Sequence, residues 1–293
     1  ILIKDRPDIV LVQGDTNTVL AGAIAASKLH IKIGHVEAGL RSFDNTMPEE
    51  INRIIADHIS DYLFAPTETS RKYLLSEGIP EERIFVTGNT IVDAAYQNLV
   101  ISKDGDDILK ELGLKEKEYF VATTHRAENV DSRERLGRIL SSFSQIYKEF
   151  DLPVIFPAHP RTVKMIKEFG LEVPEGTRLI EPLGYLEFLQ LESGARLILT
   201  DSGGVQEESC ILKVPCVTLR DNTERPETVD VGANLIAGIG ENIVECARKM
   251  LESNPEWENP YGNVNAAELT IQSMVTDYST RYISIESPEQ IQY

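Results

Sequence analysis

The sequence predicts an α/β protein of two doubly wound domains in tandem, and three observations carry that expectation. Short apolar runs alternate with longer helical patterns along the chain, the arrangement of parallel strands joined by crossover helices. A length of 293 residues suits about two domains of roughly 100–200 residues each. A polar, glycine-containing break at Ser102-Lys-Asp-Gly-Asp-Asp107 interrupts the alternation, which then restarts. The expected division is a first domain over 1–101, a second over 102–262, and a C-terminal helix and tail over 263–293.

The chain opens on Ile1-Leu-Ile-Lys-Asp-Arg-Pro7, which reads as the tail of a helix leading into a strand, without an initiator methionine. It is therefore expected to be truncated at the N-terminus. Asp8 to Asp15 is a strand closed by a Gly-Asp turn, and Asn17 to Leu29 is a helix whose alanine-rich face suits close packing on a sheet. Ile31 to Ala38 is the next strand, Glu49 to Ile59 a helix and Tyr62 to Ala65 a short strand. Thr67 can cap a helix running to Glu77, and Ile84 to Thr87 is a further strand. In the second half Tyr119 to Thr123, Pro153 to Phe156, Thr177 to Ile180, Leu197 to Leu199 and Pro215 to Leu219 read as strands. Helices are expected at Ser132 to Phe150, from Thr162, and at Leu186 to Ser193. After Pro260-Tyr-Gly262 a helix runs to about Arg281, followed by a frayed Ser287-Pro-Glu-Gln290.

Composition narrows the function. Lys+Arg 29 against Asp+Glu 47 gives a net charge of −18, which argues against nucleic acid or an anionic membrane as the principal partner. An anionic ligand must then be held by helix ends and a local basic cluster. Cys210, Cys216 and Cys246 have no metal-ligand spacing and read as reduced thiols, in keeping with a cytoplasmic protein. No apolar run approaches the roughly 18 residues that span a membrane. No His or Cys cluster marks a metal site, and the acidic run at Asp104 to Asp107 reads as a solvated linker or helix start.

The sharpest single stretch is Leu197-Ile-Leu-Thr-Asp-Ser-Gly-Gly-Val-Gln-Glu-Glu208. A buried strand runs into a Ser-Gly-Gly turn, and a helix opening at Gly203 or Gly204 aims unpaired N–H groups at that turn. Such a helix end favours a phosphate. Gln206, Glu207 and Glu208 follow on the first turn, where a carboxylate can reach paired ribose hydroxyls. His125 and Arg126, just past the Tyr119 strand, suit a pyrophosphate, and Arg225 is a second phosphate or ribose candidate. In the first half Asp15 and Glu37 stand past strand ends, and Glu49 opens a helix with Arg53 one turn on. Three carboxylates in one crevice provide a general acid and a general base.

Gly14-Asp15-Thr16, His35-Val-Glu-Ala-Gly-Leu-Arg41, Pro48-Glu-Glu-Ile-Asn-Arg53, Pro66-Thr-Glu-Thr-Ser70, Thr87-Gly-Asn-Thr90, Thr124-His-Arg-Ala-Glu-Asn129, Thr200-Asp-Ser-Gly-Gly-Val-Gln-Glu-Glu208 and Arg220-Asp-Asn-Thr-Glu-Arg-Pro-Glu227 resemble, in order and spacing, the non-hydrolysing UDP-N-acetylglucosamine 2-epimerases. The resemblance runs from about Asp8 to Gly262. It implies two Rossmann-like domains in a glycosyltransferase-B-like fold and reversible conversion of UDP-GlcNAc to UDP-ManNAc without a redox cofactor. Carried over by position, the catalytic groups fall on Asp15, Glu37, Glu49 and His125. UDP contacts fall on Arg53, Phe188, Ser202, Gly203, Gly204, Glu208 and Arg225. Arg126 and His159 lie where the family can bind a second, activating UDP-GlcNAc, and a homodimer is implied. Two departures stand out. Nothing here matches the family's opening strand and Gly-Thr-Arg-Pro-Glu turn, so the first Rossmann-like domain is expected to lack its start. Asn263-Val-Asn-Ala-Ala-Glu-Leu269 also replaces the family's glycine-rich segment.

The implied chemistry is elimination of UDP to 2-acetamidoglucal and its re-addition with protonation from the other face. Rival readings are a hydrolysing relative that releases ManNAc and UDP, a UDP-sugar glycosyltransferase on the same fold, and a chain that only binds UDP.

Overall fold

The computed structural model describes residues 1–282 apart from 104, 106, 241, 254 and 255, with side chains to residue 276. The linker reading of Asp104 and Asp106 and the frayed reading of Ser287 to Gln290 lie outside these residues. The chain divides into two compact units, residues 1–93 with 261–293, and residues 94–260. This differs from the expected boundaries at 101/102 and 262/263. The helix Thr90–Ser102 runs unbroken across the first junction, so the polar stretch marks the end of a helix rather than a change of core. At the other end, Asn89 N donates to the Tyr261 carbonyl at 3.1 Å and Ala267 N donates to Asp93 Oδ2 at 3.0 Å. The Ala266–Tyr282 helix therefore belongs to the first unit rather than forming a separate tail. Gly88 permits that return, because a Cβ on it would stand 2.9 Å from the Tyr261 carbonyl oxygen and its φ is +80°.

The first unit carries a parallel sheet of β1 (Ile9–Gln13), β2 (Lys32–Val36), β3 (Tyr62–Ala65) and β4 (Ile84–Val86) in the order β1-β2-β3-β4. Each strand adds to the same edge of the sheet. The register pairs Gln13 with Val36 and Val36 with Phe64, so the carboxyl ends of the first three strands lie side by side. One face is a dry core: Val12 and Ile33 pack against Ala23, Ala26 and Ala56 of the helices Asn17–Lys28 and Pro48–Ile59. These alanines are 0% exposed, which is the close packing their small side chains allow. Thr16 caps the first helix through Val19 N, and Thr67 caps Glu68–Ser76 through Ser70 N.

The second unit carries β5 (Phe120–Thr123), β6 (Val154–Pro157), β7 (Thr177–Ile180), β8 (Leu197–Thr200), β9 (Cys216–Thr218) and β10 (Asn234–Ile236). Their order is β10-β9-β8-β5-β6-β7, all paired in parallel, and it reverses direction between β5 and β8. Both faces are covered. Phe120, Ala122, Leu197 and Leu199 meet Leu136, Ile139 and Phe143 of the Arg133–Phe150 helix on one side. Val121, Ile155 and Ile198 meet Leu191, Ala195 and Val205 on the other. That two-sided burial is why the strands read as continuous apolar runs rather than alternating ones. Cys210 and Cys216 are buried with free thiols, and burial pushes both up to about 12. Among the described residues no helix is long and apolar enough to cross a membrane.

Candidate active site

In the first unit the polar groups collect past the ends of β1 and β2. Gly14 N donates to the Val36 carbonyl at 3.1 Å, which draws the β1 turn across the neighbouring strand. Asp15 follows, with 29% of its side chain exposed, and Arg53 Nη2 donates to its Oδ2 at 2.5 Å. Asn52 Nδ2 donates to the Asp15 backbone carbonyl at 2.8 Å, so one helix fixes both ends of the residue. Glu37 stands one residue past β2 at a φ of 69°, a region that non-glycine residues seldom enter and that costs about 1–3 kcal/mol. The conformation brings its carboxylate back to the same turn. Gln13 Nε2 donates to Glu37 Oε1 at 3.0 Å, and a Cβ on Gly14 would lie 3.9 Å from Glu37 Oε2.

Glu49 is half-buried on the first turn of the Pro48–Ile59 helix. The expected alignment of Glu49 with Arg53 is modified by the structure, which directs the Arg53 guanidinium to Asp15 and to Glu50. Glu50 was not foreseen. It is buried and accepts from Ser42 N, Ser42 Oγ and Phe43 N, pinning the loop that follows Arg41. Its signal was available in the spacing of Glu50, Arg53 and Asp57, which all fall on the buried side of the helix.

In the second unit the candidate residues stand at the point where the strand order reverses, outside the carboxyl ends of β5 and β8, where open parallel sheets place their ligands. Thr123 and Thr200 are register partners whose hydroxyls meet at 2.6 Å. Past them, Ser202 caps the Gly203–Ile211 helix through Val205 N. A Cβ on Gly203 would come within 2.5 Å of Glu224 Oε1, so a larger residue there would have to displace the Glu224 carboxylate. Glu224, a second unforeseen residue, accepts from Arg220 Nη1 at 2.7 Å and Arg126 Nη2 at 3.2 Å. Arg225 Nε pairs with Glu207 Oε1 at 2.6 Å. Three guanidiniums are thus concentrated beside the helix end, held against the carboxylates of Glu224 and Glu207.

Asp201, between strand and turn, was not singled out from the sequence, yet it organises the opposite loop. Its buried carboxylate accepts from Thr124 Oγ1, His125 N, Arg126 N and Asn129 Nδ2 at 2.7–3.1 Å. It also pairs with His125 Nδ1 at 3.1 Å, which fixes the proton on that nitrogen and leaves Nε2 for a ligand. Burial would raise the Asp201 carboxyl, but the bonds and charge from His125, then Thr124 and Asn129, hold it below its usual range.

His125 and Phe188 line one cavity of about 220 Å³ together with Thr123, Thr124, Leu183 and His159. His159 is exposed and its Nδ1 accepts from Arg161 N at 3.2 Å, at the start of the Pro160–Glu168 helix. Arg126 does not line that cavity but stands on Glu224. Glu208 accepts from Tyr185 Oη at 2.9 Å, and burial pushes its carboxyl up to about 6. Behind it Glu192 is 0% exposed, with neither carboxyl oxygen hydrogen-bonded. Burial, then the charge of Glu208, hold Glu192 well above the usual carboxylate range. Among the described residues no group of three or more His, Cys, Asp or Glu side chains is arranged to hold a metal ion.

Comparison with known proteins shows the family. The family model described as UDP-N-acetylglucosamine 2-epimerase matches residues 1–275. The chain is 56% identical over 278 residues to the UDP-N-acetylglucosamine 2-epimerase of Methanococcus maripaludis, covering 92% of this chain and 76% of the relative. It is 44% identical to the UDP-2,3-diacetamido-2,3-dideoxy-D-glucuronate 2-epimerase of Pseudomonas aeruginosa, over 86% of this chain and 70% of that one. Among solved structures, the Methanocaldococcus jannaschii UDP-GlcNAc 2-epimerase in complex with UDP-GlcNAc and UDP matches with a TM-score of 0.88 and 55% identity. That match covers 94% of this chain and 77% of the other. The two Rossmann-like units are of the glycosyltransferase-B-like α/β class, and the chain belongs to the UDP-N-acetylglucosamine 2-epimerase family of isomerases.

Proposed function

We propose that the chain interconverts UDP-GlcNAc and UDP-ManNAc by elimination and re-addition of UDP, without net hydrolysis. The observation that carries this reading is the presence of two separately held carboxylates, Asp15 and Glu37, at one turn of the first unit. Inversion at C2 requires a proton to leave one face and another to return on the opposite face, and so calls for two acid–base groups. One carboxylate takes the C2 proton. The C–H electron pair forms the C1=C2 bond of 2-acetamidoglucal, and the C1–O bond breaks with its electrons leaving on UDP. Re-addition of UDP at C1, with protonation at C2 from the other side, gives the epimer. Glu49 is the third carboxylate of the set. Arg53, committed to Asp15 and Glu50, is assigned to holding Asp15 as much as to UDP.

Departure of UDP builds charge on a phosphate oxygen. The assigned acceptors of that charge are the helix end at Ser202, Gly203 and Gly204 with His125 and Arg225, preorganised donors worth a few kcal/mol each at about 3–4 for a well-aimed one. Glu208 receives the ribose hydroxyls, and Phe188 flanks the base in the cavity it shares with His125. Arg126 and His159 are assigned to a second, activating UDP-GlcNAc. A homodimer working in the cytoplasm completes the reading.

Incubation with UDP-GlcNAc in D2O, followed by NMR at C2, tests it. Deuterium at C2 in both epimers, with UDP-sugar conserved, is expected; release of free ManNAc would favour the hydrolysing reaction, and no exchange would sink both. The Pseudomonas aeruginosa relative makes UDP-2,3-diacetamido-2,3-dideoxy-D-glucuronate the second substrate to assay. Asp15→Asn and Glu37→Gln are each expected to lower kcat by about 100- to 10,000-fold with UDP binding retained. Gly203→Ala should do the reverse, weakening UDP binding by at least about tenfold in calorimetry, since its methyl group collides with Glu224. Gly204→Ala, whose Cβ would meet only Ser202 Oγ at 4.0 Å, is the control expected to bind more tightly than Gly203→Ala.

A further inference from the structure

We propose that His35 is held as an imidazolium beneath the turn that carries Asp15, and that this buried cation is a positioning residue for proton transfer at C2. The proposal rests on the reading of Asp15 and Glu37 as the proton-transfer groups. His35 lies on β2 and is 0% exposed. Its Nε2 is 2.9 Å from the Gly14 carbonyl oxygen and its Nδ1 is 2.6 Å from Asp57 Oδ1. A carbonyl oxygen only accepts, so Nε2 carries a hydrogen. Asp57 already accepts from Gly39 N at 3.2 Å and pairs with Arg41 Nη2 at 2.7 Å, which marks it as an ionised carboxylate. Nδ1 must then donate as well. An imidazole with two donating nitrogens is a cation.

The surroundings balance that charge from every side. Asp57 comes from the Pro48–Ile59 helix and Arg41 from the loop after β2, and Arg41 also forks onto Glu77 at 2.7 Å through two nitrogens. Two cations and two carboxylates close the buried cluster at neutrality. From His35's own strand end Glu37 adds a further negative charge, and past Gly14 stands the Asp15–Arg53 pair. Burial alone disfavours the charged ring, but Asp57, the Gly14 carbonyl and Glu37 together raise its titration above the ordinary histidine range.

The consequence is mechanical and electrostatic. Gly14 has a φ of +80°, its N–H is held by Val36, and its carbonyl is held by His35. With both sides of that residue fixed, Asp15 starts from an anchored backbone. The cation also lies behind the turn on which Asp15 and Glu37 must exchange protons. No second histidine nitrogen needs to reach the substrate for this role.

Two measurements test the proposal. Long-range 1H–15N correlation on histidine-labelled protein is expected to show both ring nitrogens of His35 protonated at pH 7.5, with the second proton lost only at more alkaline pH. A neutral tautomer at pH 7.5 would overturn it. His35→Gln keeps a donor that does not titrate. Its kcat is expected to fall about tenfold or more while KM for UDP-GlcNAc stays within about twofold. An alkaline decline of kcat is expected in the parent protein and should be absent from the variant. An unchanged kcat and pH profile in an enzyme that epimerises would refute the positioning role. If the parent protein shows no C2 exchange at all, the epimerase reading itself fails, and the NMR experiment still decides the state of His35.

Discussion

Asp201→Asn is expected to lower the free energy of unfolding by about 3 kcal/mol and to abolish measurable turnover. The carboxylate has four donors and an imidazole around it, from Thr124, His125, Arg126 and Asn129, and is wholly buried. An amide offers one acceptor oxygen, and its NH2 would face backbone N–H groups that have nowhere else to turn. The His125 loop should lose its position along with the stability. The pH dependence carries a matching sign. Because the folded-state pKa of Asp201 is depressed, its contribution is present above the unfolded value of 3.8 and lost as pH falls through the lower folded value. Urea titrations from pH 3 to 7 should therefore show the parent protein losing an increment on acidification that the variant lacks. A variant within about 1 kcal/mol of the parent at pH 7 would show that the loop is held by other means.

UDP affinity is expected to decline as the solution is acidified through about pH 6, the value to which burial raises Glu208, by about tenfold for each further unit. A protonated Glu208 has lost acceptor capacity for ribose hydroxyls. Glu192 behind it behaves differently. Its folded pKa stands well above the unfolded 4.5, so the folded protein keeps a proton that the unfolded chain releases. Stability then falls as pH rises above 4.5, at about 1.4 kcal/mol per unit, until the folded value is reached. Glu192→Gln removes that loss without altering shape, because burial favours the neutral form of the carboxyl and neither of its oxygens is hydrogen-bonded. The variant should unfold at a higher denaturant concentration than the parent at pH 8, with little difference at pH 4.5. Calorimetric titration with UDP should keep its midpoint near pH 6 in the variant. A midpoint displaced by a full unit would mean that the two carboxyls are ionised together.

Much of the fold was legible because its signals are local. Thr67 announced a helix start through its own side chain and caps the helix expected of it, and Thr16, Ser132 and Ser202 cap the three helices expected beside them. β10, Asn234–Ile236, escaped notice, and the amphipathic Asn242–Glu252 helix after it was also missed. The expected boundary at 101/102 differs from the edge of the compact unit at 93/94 because composition reports solvent exposure, and the Thr90–Ser102 helix carries the chain from one unit to the next without changing character. In the candidate site, glycines and strand-end charges could be read directly. Asp201, Glu224 and Glu50 could not, since their importance lies in partners brought by the fold, as with Arg126 and Glu224, 98 positions apart. The positive φ of Glu37 has no signature in a residue that is neither glycine nor asparagine.

The return of Tyr261 and Ala267 to Asn89 and Asp93 also sets an order of events during synthesis. The 1–93 segment waits for the Ala266–Tyr282 helix until the entire 94–260 unit has been made. At about 5–20 residues per second that is a delay of roughly ten to thirty seconds on the ribosome. Through that interval the nascent β1–β4 sheet lacks the segment that closes on Gly88, while the 94–260 unit gains its strands β5 to β10 from one continuous stretch. Residues 1–93, made before the 94–260 unit, are thus completed after it, and a chaperone acting on the emerging chain would find its substrate there.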